Sequence, residues 1–404
     1  MSKQYLVHPT AMSIPASTFY PLVVDLDATL TLTDTLVESV VLLFKYSQRD
    51  LLKLPLWLIL GREVMKTKIA ERVSLPADQL PYRPELVEYL RAQKRLGRSI
   101  VLATAAHRSI AEGVSNHLGL FDQVLATDSG RNLKGKAKLA AIQEQVGPQF
   151  VYAGDSQADI PIWKAAQAAV LVGASGRLAR SVRKRHVVEK EFPKMPMGLG
   201  VWRKVLRMHQ WTKNLLLFVP MLTAFSFASD DISTMLLAFL SFSLAASATY
   251  IGNDLWDLGN DRLHPRKKLR PFASGALSIA SGLVAAIVLL GTGFALAFFV
   301  NPGFAAMLLV YVILTTSYSL TLKEYVLLDV LALSMLYTLR IVTGSVAVGI
   351  HTSSWLLAFS LFLFLSLALV KRCSELKMLQ KNGMASAHGR DYRVADLAVC
   401  GRWG

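Results

Sequence analysis

The stretch of sequence that decides the fold runs Asn253-Asp254-Leu255-Trp256-Asp257-Leu258-Gly259-Asn260-Asp261. It closes an apolar run, 232–251, that is long enough to cross a bilayer as a helix. On a continuous helix, Asp254, Asp257 and Asp261 stand at i, i+3 and i+7, so the three carboxylates share one face. Unpaired carboxylates at the end of a membrane helix are costly, and a divalent cation is the usual way to offset them. The stretch therefore predicts a membrane helix that ends in a site for a divalent cation.

A basic segment follows these acids and reads His264-Pro265-Arg266-Lys267-Lys268-Leu269-Arg270-Pro271. We expect Lys268 and Arg270 to bind the far side of a phosphorylated ligand, because cations form charge-assisted hydrogen bonds with phosphate. Carboxylates, metal and diphosphate would then form one chain of charge neutralisation.

Composition divides the 404 residues into two halves. Roughly the first half carries charges throughout and has short apolar runs, as a soluble α/β domain does, whereas the second half is a series of long apolar runs. The net charge is +16, but the basic residues concentrate beside the membrane segments, so we expect a membrane partner and no nucleic acid. The two cysteines, Cys373 and Cys400, exclude a disulfide framework as the organising device.

The second half contains candidate membrane spans whose loops alternate in charge. Six apolar runs lie near 212–228, 232–251, 278–300, 303–320, 325–349 and 353–370. Three of the connections lack Lys and Arg, whereas the 252–277 loop, the turn at Lys323 and the tail from Lys371 contain them. Because basic loops face the cytoplasm, we expect a multi-pass protein of the cell inner membrane. The soluble half and the acidic motif would then both lie on the cytoplasmic side.

In the first half, polar residues follow three short apolar runs directly. The pairs are 21–24 with Asp25 and Asp27, 99–103 with Thr104, and 150–153 with Asp155 and Asp159. The runs are typical of buried parallel strands, whose carboxyl ends carry the sites of α/β sheets. A further apolar run, 51–60, is too short to span a bilayer and indicates either a cap helix or a membrane-contacting helix.

This ordered set of strands and polar residues resembles the haloacid dehalogenase (HAD) superfamily of phosphatases over roughly residues 18–175. The resemblance implies a Rossmann-like parallel sheet with a small helical cap. Asp25 would be the nucleophile that forms an aspartyl-phosphate, and Asp27 would be the general acid and base. Thr104 and a lysine would hold the phosphoryl oxygens. Asp155 and Asp159, together with Asp25, would bind Mg²⁺.

Two positions of this resemblance need comment. We choose Lys138 as the lysine because it stands three residues after Gly135 and opens the following helix, while Lys134 and Lys136 remain alternatives. The superfamily usually has glycine where this chain has Ala28, so we expect reduced or tuned activity. The alternative is a HAD-like scaffold that no longer hydrolyses a substrate.

The acidic motif, with Asn253, Asp254, Asp257 and Asp261, looks like the first aspartate-rich signature of the UbiA superfamily of intramembrane prenyltransferases. This resemblance implies an all-α transmembrane bundle with a lipid-accessible cavity. The cavity would bind a polyprenyl phosphate or diphosphate through Mg²⁺.

The second motif departs from that of the aromatic prenyltransferases, which have two acids four residues apart. This chain has Asp329, but the position four residues later is Leu333, and Arg340 follows at eleven. We therefore expect Asp329 to join the metal site and Arg340 to bind a different second substrate. The alternative for Arg340 is a structural ion pair with Asp329.

Further cations suggest the branch that includes decaprenyl-phosphate phosphoribosyltransferases, which transfer 5-phosphoribose from phosphoribosyl diphosphate onto a polyprenyl phosphate. Besides Lys268, Arg270 and Arg340, the predicted substrate-binding residues are Lys213, Asn214, Lys323, Lys371 and Arg372. The alternatives are prenyl transfer from a polyprenyl diphosphate to an aromatic acceptor and, in another class, an inactive membrane scaffold. If the hydrolase is active, it could remove the 5-phosphate of the product.

The predicted organisation has four segments. These are a flexible N-terminus at 1–17, a HAD-like domain at 18–176, a basic juxtamembrane linker at 177–207 and a UbiA-like transmembrane domain at 208–404. The linker would lie on anionic headgroups or be merely solvated. The UbiA resemblance implies about nine spans, so we expect the C-terminal domain to be truncated.

Overall fold

The structure is a computed structural model that describes residues 20–128, 132–194 and 198–381. The predicted flexible N-terminus at 1–17 and the tail after residue 381 lie outside the described residues. The chain forms two compact units. Of the described residues, the first unit comprises 20–128, 132–194 and Gly259–Ile279, and the second comprises Gly198–Leu258 and 280–381.

A parallel sheet is the centre of the first unit. Its strands are β1 (Leu22–Val24), β2 (Ile100–His107), β3 (Gln123–Thr127), β4 (Val151–Gly154), β5 (Ala168–Val172) and β6 (Val188–Phe192), in the order β3-β2-β1-β4-β5-β6. Val24 of β1 lies in register with Leu102 of β2 and Ala153 of β4. The strand order reverses at β1, so the carboxyl ends of β1 and β4 meet at the point where α/β sheets place their sites.

Helices cover both faces of this sheet. They are α1 (Thr35–Tyr46), α2 (Gln48–Leu51), α3 (Leu54–Leu60), α4 (Arg62–Ala70), α5 (Pro84–Arg95), α6 (Arg108–Leu118), α7 (Lys136–Gln145), α8 (Ile160–Ala165) and α9 (Gly176–Arg183). Successive strand side chains point to opposite faces, so Leu22 and Val24 pack in one core and Val23 in the other. The predicted Rossmann-like α/β fold is confirmed.

The segment from α1 to α4 forms a small cap with its own core. Leu43, Trp57, Ile69 and Val73 are buried against one another there. The apolar run 51–60 therefore belongs to a cap helix, one of the two structures that its length allowed.

The basic run 177–207 differs from the predicted linker. It holds most of α9 and all of β6, the outermost strand of the sheet, and both belong to the first unit. Leu178 and Val182 of α9 are buried, while its arginines lie on the exposed face. The density of positive charge obscures this amphipathic pattern in the sequence.

The second unit is helical. Its helices are α10 (Leu199–Val205), α11 (Val219–Thr223), α12 (Ser229–Trp256), α14 (Ile279–Val300), α15 (Pro302–Leu320), α16 (Val326–Val348) and α17 (Ser354–Lys381), and α13 (Leu258–Leu263) begins at its boundary with the first unit. Within the described residues, α12 and α14 to α17 are long and apolar enough to cross a membrane. This confirms the prediction of a multi-pass membrane protein.

The predicted span at 212–228 is not one continuous α-helix. A run of 3₁₀ turns, Met208–Phe218, is followed by the five-residue helix α11, and neither is long enough to span. Pro220 lies in the first turn of α11, where its missing N–H breaks no helical hydrogen bond but sets the start of a new helix. The described residues therefore contain five continuous helices that are long and apolar enough to cross a membrane, and whether the interrupted segment 208–223 crosses as well stays a prediction.

Candidate active sites

Asp25 stands directly after β1, at the start of a tight turn, Leu26–Leu30. Its Oδ1 accepts a hydrogen bond from the Leu26 backbone N–H at 2.8 Å and lies 2.9 Å from Lys138 Nζ. Lys138 comes from the first turns of α7, and its side chain is buried. Burial raises the pKa of Asp25, and the charge of Lys138 opposes this shift.

Three carboxylates converge beside this pair. The ligand oxygens of Asp25, Asp155 and Asp159 all lie within 4.8 Å of one another, and these acids are the group with metal-binding spacing among the described residues. Burial, followed by the charges of Asp159 and Asp25, raises the pKa of Asp155 to about 7. Because Mg²⁺ prefers hard oxygen ligands and relieves repulsion between carboxylates, this donor set fits Mg²⁺.

Asp159 differs from the other two acids in its hydrogen bonding. Its Oδ1 accepts from the Tyr152 hydroxyl at 2.9 Å, and its Oδ2 accepts from the Ser156 N–H and hydroxyl at 3.0 Å each. Tyr152 in turn accepts from Lys138 Nζ at 3.1 Å. Asp159 therefore positions the loop after β4 and, through Tyr152, the side chain of Lys138. Asp25 and Asp155 are better placed to bind the metal directly.

Asp27 lies two residues after Asp25 in the same turn. Its Oδ1 accepts from the Thr35 backbone N–H at 2.7 Å, which ties it to the start of α1. Burial, followed by the charge of Asp34, raises the pKa of Asp27 to about 7. A carboxyl group with such a pKa gives up and takes back protons readily near neutral pH, as a general acid and base must.

A cavity of about 770 Å³ opens over these groups, between sheet and cap. Asp25, Asp27 and Asp155 line it from the sheet side, and Arg62 and Lys66 line it from the cap. The cavity therefore combines an acidic end with a basic one, as a site for a phosphorylated substrate and a metal requires.

Thr104 is fully buried in β2, and its Oγ1 accepts from the Ala106 N–H at 3.0 Å. Thr104 is not among the residues that line the cavity, so its predicted role of holding a phosphoryl oxygen stays a prediction. Ala28 has a φ of +56°, in the left-handed region that favours glycine. The glycine of the superfamily thus fits a real backbone requirement, and this chain meets it with an alanine.

Lys66 was not among the predicted site residues. Its Nζ donates to the Ala105 carbonyl at 2.5 Å and to Asn132 Oδ1 at 3.1 Å, so α4 of the cap is bonded to the end of β2. Burial lowers the pKa of Lys66. The only local signal for this residue is its i, i+4 spacing from Arg62, which is common on solvated helices.

The predicted shared face of the acidic motif does not exist, because the helix is interrupted. The helix α12 ends at Trp256, Asp257 is its C-terminal cap residue, and α13 begins at Leu258. The i, i+3, i+7 argument assumes a continuous helix. Asp254 therefore lies in the last turn of α12, whereas Asp261 belongs to α13.

The carboxylates of this motif are also paired, contrary to the prediction. In the helical unit, Asp254 accepts from Arg207, and Asp257 lies 3.1 Å from Lys323 Nζ. In the first unit, Asp261 accepts from Arg270 at 2.6 Å. Each acid is neutralised by a cation, which is distant in sequence for Asp254 and Asp257 and nine residues away for Asp261, so the idea of three unpaired charges is wrong. Their role as metal ligands, and that of the half-buried Asn253, stays a prediction.

Asp329 is fully buried in α16 and forms a bidentate ion pair with Arg372 of α17. Tyr318 also donates to it, at 2.8 Å. The alternative interpretation of Arg340 as the partner of Asp329 is therefore wrong, because Arg372 occupies that carboxylate. Two other predicted ligand residues, Lys268 and Lys371, are exposed.

Arg340 lies instead in an aromatic and polar environment. Its Nε donates to Asn214 Oδ1 at 3.1 Å, and its guanidinium carbon lies 5.1 Å and 5.4 Å from the ring centroids of Tyr311 and Tyr337. Lys213 Nζ lies 5.8 Å from the same Tyr337 ring. Burial lowers the pKa of Lys213, and the charges of Arg340 and Arg207 lower it further.

Arg340 and Lys213 have no carboxylate partner among the residues that the structure describes. A half-buried ammonium beside a buried guanidinium is repulsive unless an anion joins them. This arrangement, which we call the cation pair, can bind a phosphate or diphosphate group.

Comparison with known protein families supports the assignment of both the hydrolase domain and the helical domain. The model of the haloacid dehalogenase-like hydrolases matches residues 22–164, and that of the UbiA prenyltransferase family matches residues 217–393.

Three relatives are informative. The uncharacterized protein y4nM of Sinorhizobium fredii is 40% identical over 93% of this chain and 73% of its own length. Nodulation protein NoeC of Azorhizobium caulinodans is 40% identical over 48% of this chain and 63% of its own length. Decaprenyl-phosphate phosphoribosyltransferase of Mycobacterium tuberculosis is 34% identical over 45% of this chain and 62% of its own length. The chain thus spans less than two thirds of the last two relatives. It belongs to the family of y4nM, and it joins a haloacid dehalogenase-like hydrolase domain to a domain of the UbiA prenyltransferase family in one multi-pass membrane protein.

Proposed function

We propose that the helical domain transfers 5-phosphoribose from phosphoribosyl diphosphate to a polyprenyl phosphate, and that the hydrolase domain removes the 5-phosphate of the lipid product. The observation that carries the transferase proposal is the cation pair, Lys213 and Arg340. The similarity of this domain to decaprenyl-phosphate phosphoribosyltransferase supports it. A lipid phosphate, a diphosphate and a sugar phosphate in one pocket need more cations than a prenyl diphosphate alone.

The proposed transfer balances without a further reactant. An oxygen of the polyprenyl phosphate attacks C1 of the ribose, and the bond from C1 to the diphosphate oxygen breaks. Diphosphate leaves with the bonding electron pair, and C1 develops oxocarbenium character on the way. Arg340 and Lys213 would bind phosphate oxygens of the substrates, so that the leaving charge meets fixed positive groups.

Asp254 and Asp257 would hold Mg²⁺ together with the diphosphate. Two carboxylates plus substrate phosphates form the usual donor set for this ion, which supplies charge neutralisation to the leaving group. Arg207 and Lys323, which neutralise these acids in the structure, would then be released to bind phosphate oxygens. This exchange keeps the local charge balanced.

In the hydrolase domain, Asp25 would attack the phosphorus of a phosphomonoester, while Asp27 gives its proton to the departing alcohol. Water would then attack the aspartyl-phosphate, with Asp27 taking a proton, which releases phosphate and restores Asp25. Lys138 would bind the phosphoryl oxygens and keep Asp25 ionised. Mg²⁺ at Asp25 and Asp155 would offset the negative charge of the transferred phosphoryl group.

We also propose that both active sites face the cytoplasm at the inner membrane. The support is the charge of the sequence, since Lys and Arg are absent from the start of α12 at 229–231 and from the turns at 301–303 and 350–352. Phosphoribosyl diphosphate, a polar metabolite, would then reach the transferase without crossing the bilayer.

The test is to incubate the purified full-length protein with phosphoribosyl diphosphate and polyprenyl phosphate and to measure released inorganic phosphate, with inorganic pyrophosphatase omitted. We expect Asp25→Asn to abolish phosphate release and to leave diphosphate release intact. Asp78→Asn, a change at an exposed acid of the same domain, is the matched control and should alter neither. Phosphate release that is unchanged by Asp25→Asn would refute the coupling of the two domains.

A further inference from the structure

One face of the cap is apolar and exposed. Leu56, Ile59 and Leu60 follow the spacing i, i+3 and i+4 within α3, which places them on one side of that helix, and Leu52 caps the end of α2 just before it. Leu52 is 85% exposed and Ile59 is 83% exposed, whereas Trp57 points the other way, into the cap core. We call these four side chains the apolar cap face.

An apolar face of this kind marks a binding surface, because large apolar side chains grouped on one surface are uncommon in monomeric soluble domains. Its sequence neighbours are basic. Arg49, Lys53 and Arg62 are all exposed around it, and Lys53 reaches back to Asp50 at 2.8 Å. An apolar stripe beside exposed Lys and Arg is the pattern of a helix that lies in the headgroup region of an anionic bilayer.

The same chain carries five helices that are long and apolar enough to cross a membrane. The hydrolase domain is therefore tethered to a bilayer by its own chain. The helix α3 also reaches the catalytic cavity, because Leu58 lines that cavity while its neighbour Ile59 faces outward. A phosphomonoester carried on a lipid would therefore meet α3 on its way to Asp25.

We propose that the apolar cap face docks into the surface of the lipid bilayer and brings the hydrolase site to phosphomonoesters carried on a lipid. The substrate class rests on the proposed function, whereas the docking rests on the face itself. A second copy of the chain or a soluble protein partner would cover the same side chains without lipid, and the experiment below separates these outcomes.

The test uses full-length protein reconstituted in phosphatidylethanolamine and phosphatidylglycerol vesicles. Ile59→Cys, made with Cys373→Ser and Cys400→Ser, carries a fluorescent label, and Leu96→Cys on the exposed end of α5 is the control. With doxyl-labelled lipid in the bilayer, we expect strong quenching at position 59 and weak quenching at position 96. Equal quenching at both positions would overturn the proposal. So would a label at position 59 that is shielded from aqueous iodide but not quenched by doxyl lipid, because that indicates a protein partner.

A second arm tests the substrate class by kinetics. The triple change Leu56→Asn, Ile59→Asn and Leu60→Asn leaves the cavity-lining residues intact. We expect kcat/KM for phosphatidic acid in vesicles to fall by at least about tenfold, since burying one leucine in an apolar phase is already worth that much. Turnover of soluble para-nitrophenyl phosphate should persist, and equal losses on both substrates would overturn the link. The quenching arm needs no enzymatic activity, so it still reads docking if the proposed phosphatase reaction fails.

Discussion

Replacing Lys138 by methionine tests the ion pair at the centre of the hydrolase site. Lys138 Nζ lies 2.9 Å from Asp25 Oδ1, and the two side chains are only 5% and 12% exposed. At an effective dielectric constant of about 20, two unit charges at this distance attract by about 6 kcal/mol. Desolvation offsets part of this attraction, so loss of one partner from such a buried pair costs about 3–5 kcal/mol.

The expected result of Lys138→Met is therefore a fall of about 3–5 kcal/mol in the free energy of opening of β1 and β4. Phosphatase activity should be lost as well, because Asp25 without its cation takes up a proton and is no longer a nucleophile. Hydrogen exchange with mass spectrometry on the full-length protein measures the opening energy strand by strand. The double variant Asp25→Asn/Lys138→Met should recover part of the stability and none of the activity.

Lys136→Met is the matched control, because Lys136 is exposed and stands two residues earlier in the same helix. It should change neither exchange nor turnover. If β1 and β4 exchange no faster in the Lys138→Met protein than in the Lys136→Met protein, the ion pair does not contribute to stability and the reasoning fails.

Three further predictions concern other parts of the chain. Ala28→Gly should stabilise the hydrolase domain by about 1 kcal/mol in the same exchange assay. The left-handed backbone costs alanine about 1–2 kcal/mol, and the greater conformational entropy of glycine in the unfolded chain offsets about 0.4–1 kcal/mol of the gain. A loss of stability would contradict backbone strain at this position. Arg340→Leu should abolish diphosphate release while Arg340→Lys retains a small part of it, since only guanidinium bonds both Asn214 and a phosphate in fixed geometry; equal activity of the two variants would contradict a specific role. Chelation with EDTA should stop phosphate release, Mg²⁺ should restore it, and Asp155→Asn should require more Mg²⁺ for half-maximal activity; an Asp155→Asn protein with unchanged Mg²⁺ demand would remove that acid from the metal site.

The hydrolase fold was predictable because its signals are local. The strands that carry the site residues are short apolar runs, and in a parallel sheet the residue after such a strand lies at the site edge. This is why Asp25 and Asp155 could be placed together from sequence, although they are far apart in the chain. The lysine was also readable, since Lys138 follows the glycine that precedes its helix.

For the membrane half, the sequence predicts a multi-pass helical domain but not which side chains contact one another. Apolar length identifies spans, yet spacing within the acidic motif cannot reveal which cations distant in sequence will meet each acid. Arg207 with Asp254 and Lys323 with Asp257 are pairs of that kind, and they depend on how the helices pack. The break at Asp257 is not predictable from the sequence for a related reason, because no proline or cap signal marks it strongly.

The most direct test of the proposed function is the mass of the lipid product. Full-length protein in vesicles, given phosphoribosyl diphosphate and polyprenyl phosphate, should produce a polyprenyl-phosphoribose without a 5-phosphate. The Asp25→Asn protein should instead accumulate the same lipid with its 5-phosphate retained. The proposed function would be contradicted if neither protein formed a ribose-bearing lipid in these vesicles although both bound phosphoribosyl diphosphate.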